Sequence, residues 1–158
     1  QEETFKLPKR LTGVTTFTIQ VTNRKLHIGG LSFKKLEKAW SPLSVTDIDR
    51  IYGDAFCKTD DAITGIGNNV TIEYTDMDFG ERTCVVIEIT GRSPIEKNTI
   101  HVRTSNGTNE TLNIAEFPYS DDYVTKRFPV NVLSGSQTVT LLFLPGSNFD
   151  LKGIRFVR

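Results

Sequence analysis

Proton-transfer chemistry would have to come from two histidines, His27 and His101, and from nineteen carboxylates. Hydrolysis of a glycosidic bond needs two carboxyls about 5–9.5 Å apart across a cleft. Nineteen acidic residues supply such a pair by accident, so their number argues for nothing specific. The spacings of a GxSxG elbow, a phosphate-binding loop, an HExxH zinc helix or a Cys/His dyad do not occur in the sequence. Cys57 and Cys84 are too few for a disulfide framework and lack CxxC spacing. They are expected to be small apolar side chains within strands, with a single Cys57–Cys84 bridge as the alternative. A chain that binds and does not catalyse is the expectation.

Alternation singles out one polar group. Val70, Ile72 and Tyr74 alternate with Glu73, Val85, Ile87 and Ile89 with Glu88, and Ile100 and Val102 with His101 and Arg103. If these strands share one sheet, Glu73, Glu88, His101 and Arg103 lie on its polar face. That face is either a solvated exterior or a groove that hydrogen-bonds sugar hydroxyls. The single tryptophan, Trp40, and Phe33, Phe79, Phe128, Phe143 and Phe156 are expected in the core.

No stretch of a dozen residues keeps a helical period, whereas short runs rich in Val, Ile, Thr and Phe recur between Gly, Asn, Asp and Ser clusters. Strands are expected over 15–21, 25–28, 69–75, 84–90, 99–104, 110–116, 124–131, 137–144 and 153–157. Gly91-Arg92-Ser93-Pro94, Ser105-Asn106-Gly107 and Pro145-Gly146-Ser147-Asn148 supply turns between them. Eight or nine strands at this spacing imply an all-β fold, a two-sheet jelly-roll β-sandwich. The segment 36–67 reads as a long ordered loop region with one or two short strands, a length that tends to be functional. Residues 1–13, charged and interrupted by Pro8, read as a linker or tether, leaving 14–158 as one sandwich domain.

Nineteen basic residues balance nineteen acidic ones, which excludes the basic stripe that a nucleic-acid partner requires. No apolar run approaches the ~20 residues that cross a bilayer, so a membrane partner is not expected. The start at Gln1, without Met or a signal-peptide core, reads as a mature protein or as an excised piece of a longer one. Sequons begin at Asn69, Asn106 and Asn109 and would matter in a eukaryotic secretory pathway.

Three segments carry a family resemblance. Gly146-Ser147-Asn148-Phe149-Asp150-Leu151-Lys152-Gly153-Ile154-Arg155-Phe156, Ile66-Gly67-Asn68-Asn69-Val70-Thr71-Ile72-Glu73-Tyr74 and Asp121-Asp122-Tyr123-Val124-Thr125-Lys126-Arg127-Phe128 follow, in order and spacing, the pattern of carbohydrate-binding modules of family 6. The resemblance runs from Leu36 to Arg158 and implies a galactose-binding-domain-like sandwich. Lys25-Leu26-His27-Ile28-Gly29-Gly30-Leu31-Ser32-Phe33, Ile51-Tyr52-Gly53-Asp54-Ala55-Phe56 and Met77-Asp78-Phe79-Gly80 are similar to modules appended to bacterial β-galactosidase-like enzymes of glycoside hydrolase family 2. Such a parent implies catalytic domains of the same chain as neighbours, and an extracellular or periplasmic setting is favoured.

Sugar rings present C–H faces edged by hydroxyls, so sites for them combine an aromatic platform with amides or carboxylates. The resemblance places Tyr123 as the platform and Asn148 as the amide of a loop cleft for an oligosaccharide or polysaccharide, with Tyr119 and Asp122 near enough to join. The family's second, facing aromatic is missing, because Ile63 and Ile66 stand before the Gly67-Asn68 turn. The resemblance also implies a structural calcium held by Glu37 and Asp150, with Asp54 completing the shell and Ala39 standing where a further Glu is common. A sandwich that packs between domains and has lost its sugar site is the competing expectation.

Overall fold

The computed structural model describes residues 3, 5, 14–23, 25–33 and 37–158, and the chain divides into two compact units, 1–34 and 35–158. Apart from Glu3 and Phe5, the expected tether over 1–13 lies outside the described residues. Within the first unit, 14–23 and 25–33 contain no strand, so the strands expected at 15–21 and 25–28 are not formed and His27 is not on one. Phe17, Ile19 and Val21, which alternate in the sequence, are 46%, 42% and 49% exposed. A strand persists when its backbone is paired and its apolar face covered. Phe33, expected in the core, is exposed and meets Phe17 edge-on at 5.6 Å, a contact that does neither.

Eleven strands among the described residues belong to the second unit: β1 (Leu43–Ser44), β2 (Arg50–Tyr52), β3 (Cys57–Lys58), β4 (Ile63–Ile66), β5 (Thr71–Asp78), β6 (Cys84–Arg92), β7 (Lys97–Ser105), β8 (Glu110–Pro118), β9 (Val124–Asn131), β10 (Ser136–Phe143) and β11 (Phe149–Val157). One sheet runs β3-β4-β11-β6-β9, with β1 also paired to β11, and the other runs β2-β5-β10-β7-β8. Every pairing is antiparallel, giving the two-sheet sandwich that the strand spacing implies. The segment 36–67 is more regular than expected. It holds β1 to β4 and two single 3-10 turns, Lys38–Trp40 and Val45–Asp47, with strands cut short by turn formers.

Alternation sorts the core correctly. Ile72 and Tyr74, Ile87 and Ile89, and Ile100 and Val102 all point inward and are fully buried. Two bulges reset the count. In β11 the register shifts between Leu151 and Gly153, so the buried set changes from Phe149 and Leu151 to Ile154 and Phe156. In β5 Asp76 adopts φ 58°, and burial passes from Tyr74 to Met77. Phe149 joins Phe117 at 4.9 Å and Phe143 at 5.5 Å in the centre, and Phe79 bridges Trp40 and Phe156 at 5.5 Å and 5.0 Å. Trp40 and Phe128 are half-buried against this core.

The cysteines lie on strands as expected, but not as covered apolar side chains. Both are free and exposed. Cys57 on β3 and Cys84 on β6 are separated by β4 and β11, which rules out a bridge.

Candidate functional site

Antiparallel pairing gathers four connections at one end of the sandwich: β4–β5, β6–β7, β8–β9 and β10–β11. Each crosses from one sheet to the other, so its backbone lacks ladder partners and must find others. Asn68 Oδ1 accepts from Gly146 N–H at 2.7 Å, tying β4–β5 to β10–β11. Ser120 Oγ accepts from Ser93 N–H at 3.0 Å, and Ser120 N–H donates to Ser93 C=O at 2.9 Å, joining β8–β9 to β6–β7. Buried Asn98 donates to Ser93 Oγ at 2.7 Å and to Asn148 C=O at 2.8 Å, and accepts from Asn148 N–H at 3.0 Å. The four loops thereby form one hydrogen-bonded rim.

Tyr123 and Asn148 reach this rim from neighbouring strands. Gly91 of β6 pairs with Val124 of β9 on one side and Leu151 of β11 on the other, so Tyr123, Arg92 and Asp150 form a row across the sheet end, with Asn148 two residues upstream. Asn148 is exposed, with its backbone fixed by Asn98. Tyr123 is half-buried, and the Lys152 ammonium lies 4.6 Å from its ring centroid. Burial, and then the Asp150 charge, push its phenol pKa up. Tyr119 is exposed and donates its hydroxyl to the Asp121 carboxylate, a bond that raises the Tyr119 pKa. Asp122 is exposed in the same connection, and its charge acts on Arg92. An open depression lined by Ile95, Glu96, Lys97, Glu116 and Pro118 lies beside Tyr119, whose N–H donates to Glu96 C=O at 2.9 Å. Ile63 and Ile66 are fully buried and present no surface to this rim, so no second platform stands there.

The implied calcium ligands are not brought together. Asp150 is the second residue of β11, while Glu37 meets Arg158 Nη2 at 3.4 Å beyond the other end of the same strand. At about 3.3 Å per residue the eight steps from Asp150 to Arg158 span about 26 Å. Both Asp150 oxygens already accept hydrogen bonds: Oδ2 from Arg92 Nε and Nη2 at 2.8 Å and 2.6 Å, and Oδ1 from Gly65 N–H at 2.8 Å. Asp54 sits in the β2–β3 connection, approached by Asn69 Nδ2 at 3.4 Å. Calcium takes six to eight oxygens, and among the described residues no group of three His, Cys, Asp or Glu could hold a metal. The residues present do not fit the ion.

The polar face expected from alternation divides between the sheets. Glu73, His101 and Arg103 lie on the outer face of the five-stranded sheet, where Thr140 pairs with both Glu73 and Arg103. Glu88 belongs to the other sheet, where Arg127 donates to it at 2.8 Å, because β6 pairs with β9 and β11. Tyr52, which the sequence did not single out for this face, donates to Glu73 Oε1 at 3.1 Å. His101 Nδ1 and Arg103 Nε are buried without a hydrogen-bond partner among the described residues. Arg92, Asn98 and Lys152 were also missed. The parity of β6, buried at Ile87 and Ile89, points Arg92 outward and was a readable signal; the register that sets it beside Asp150 was not.

Among the described residues no helix is long and apolar enough to cross a membrane. No protein-family model matches the chain, and no curated protein matches its sequence. Solved structures do match. A family 6 carbohydrate-binding module from Clostridium cellulolyticum, in complex with xylose, superposes with TM-score 0.64 at 19% identity, covering 76% of this chain and 98% of that one. A β-1,3-glucan-binding family 6 module from Bacillus halodurans gives TM-score 0.63 at 21% identity, over 76% and 97% of the two chains. An exo-β-1,3-galactanase from Phanerochaete chrysosporium, with β-1,3-galactotriose, gives TM-score 0.59 at 12% identity, over 74% of this chain and 29% of the enzyme. The second unit therefore has the β-sandwich fold of family 6 carbohydrate-binding modules.

Proposed function

We propose that the chain is a non-catalytic carbohydrate-binding module of a larger glycoside hydrolase, a β-galactosidase-like enzyme on the sequence resemblance, and that it binds an oligosaccharide or polysaccharide at the loop end of its sandwich. The observation that carries this reading is the exposed Asn148 amide on a backbone locked by buried Asn98, in the same sheet end as Tyr123. A fixed amide beside an aromatic ring is the arrangement that reads a sugar's hydroxyls and C–H face together. The structural neighbours that bind xylose and β-1,3-glucan support a sugar as ligand. The galactanase, of which the sandwich is a minor part, supports attachment to catalytic domains of the same chain.

Calorimetry with xylo-, β-1,3-gluco- and β-1,3-galacto-oligosaccharides tests the reading. Tyr123→Ala and Asn148→Ala are each expected to weaken binding about tenfold while leaving the fold intact, the former on the ~1–3 kcal/mol scale of ring stacking. Unchanged affinity in both variants would remove this site.

The outer face of the five-stranded sheet supports a second location, because buried polar atoms without a partner are rare and call for one. His101 Nδ1 and Arg103 Nε are two such atoms, beside the Tyr52–Glu73 pair. A loss confined to Tyr52→Ala and His101→Ala would move the site there. Absence of binding by any of these glycans favours the interdomain structural role.

A further inference from the structure

We infer that the cation holding Asp150 is the guanidinium of Arg92, which takes the structural role that the sequence resemblance gives to calcium and fixes the loop end of the sandwich without a metal.

The Asp150 side chain is 5% exposed. A carboxylate that far from water persists as an anion only beside a cation and with its lone pairs satisfied. Arg92 supplies the charge and two of the three bonds, Nε and Nη2 both reaching Oδ2, while Gly65 N–H takes Oδ1. The planar fork of a guanidinium suits this geometry, and its pKa, raised chiefly by the hydrogen bonds to Asp150, keeps it charged. What the ion pair joins matters more than its strength. Asp150 stands at the head of β11, Arg92 at the end of β6, and Gly65 in β4, so one carboxylate ties three adjacent strands just where their loops depart. Tyr123 lies next in the same row and is electrostatically coupled to Arg92 and to Asp150. Glu37, the other implied ligand, pairs with Arg158 at the far end of β11 and cannot share an ion with Asp150.

The test uses the full chain and reads melting, so it stands or falls separately from sugar binding. The wild-type midpoint is expected to be the same in millimolar calcium, in magnesium and in chelator. Arg92→Met, which strands a buried carboxylate, is expected to lower the midpoint by more than about 5 °C. Arg92→Lys is expected to recover only part of that loss, because an ammonium lacks the fork. Arg92→Met combined with Asp150→Asn is expected to melt higher than Arg92→Met alone, since the second change removes the stranded charge. If Arg92→Met does not fold, the calcium comparison on the wild type and the melting of Asp150→Asn carry the test. A wild-type midpoint raised several degrees by calcium and not by magnesium would overturn the inference, as would an Arg92→Met variant, or an Asp150→Asn variant, that melts with the wild type.

Discussion

The side chain of Asn98 hydrogen-bonds both backbone polar groups of Asn148, donating to its C=O at 2.8 Å and accepting from its N–H at 3.0 Å. Fifty residues apart in sequence, the two are matched as adjacent strands would be, with a side-chain amide standing in for the missing strand. This pairing holds the β10–β11 connection still while leaving the Asn148 amide exposed.

Replacement of Asn98 by Leu, similar in size and unable to hydrogen-bond, leaves those two backbone groups without their partner, while Ser93 Oγ keeps its bond to Ile95 C=O. A buried group so stranded costs about 1–3 kcal/mol. Urea unfolding is expected to show a loss of about 2–4 kcal/mol in total, since water reaches part of the rim. A midpoint unchanged from wild type would mean that the loop end is held by other contacts.

Gly153 is required by proximity and not by backbone angle. A Cβ built there would lie 2.4 Å from the carbonyl oxygen of Leu43, across the Ser44–Gly153 pair that joins β1 to β11. Backbone cannot swing aside as a side-chain tip can, so Gly153→Ala must open that pairing. Overpacking of this kind costs about 1–3 kcal/mol. Differential scanning calorimetry is expected to show a lower midpoint for Gly153→Ala and none for Gly30→Ala, where nothing stands within 4 Å.

Tyr74 is fully buried and its hydroxyl meets no protein partner. Burial, with the charges of Asp47 and Asp49 behind it, pushes the phenol pKa far above its ordinary value of 10.0. Above that ordinary value the unfolded chain releases the proton while the native state keeps it, so stability falls as pH rises past 10. Tyr74→Phe is expected to be as stable as wild type, or more so by about 1 kcal/mol, at neutral pH. Denaturant midpoints between pH 9 and 11 are expected to fall less steeply in the variant. A clear loss of stability at neutral pH would show that the hydroxyl has a partner after all.

Asp49 titrates the other way. Burial alone would raise its pKa, but the hydrogen bonds from Lys38 Nζ at 2.6 Å and Thr75 N–H at 2.7 Å, with the Lys38 charge, hold it below 3.8. The native state therefore binds the proton less readily than the unfolded chain. Its contribution to stability is complete above the unfolded pKa and is lost as pH falls through the folded one. Asp49→Asn is expected to flatten the decline in denaturant midpoint between pH 5 and 2.5. Equal slopes in the two proteins would place the acid sensitivity on other carboxylates.

Side-chain period and turn chemistry are local, and they were enough to set the all-β class, the inward faces of β5, β6 and β7, and the outward direction of Glu73, His101 and Arg103. They could not show which strands are neighbours. Strand pairing joins residues far apart in sequence, and so it was the tertiary structure that sent Glu88 to a different sheet from Glu73 and set Arg92 beside Asp150. The same limit governed the first unit. Phe17, Ile19 and Val21 alternate as well as Val85, Ile87 and Ile89 do, but alternation describes a face and does not supply the partner that covers it. Glu37 and Asp150 are kept apart by length. Glu37 and Asp150 look like one site while only residue types are compared, and an extended β11, rising about 3.3 Å per residue, holds them at opposite ends of the sandwich.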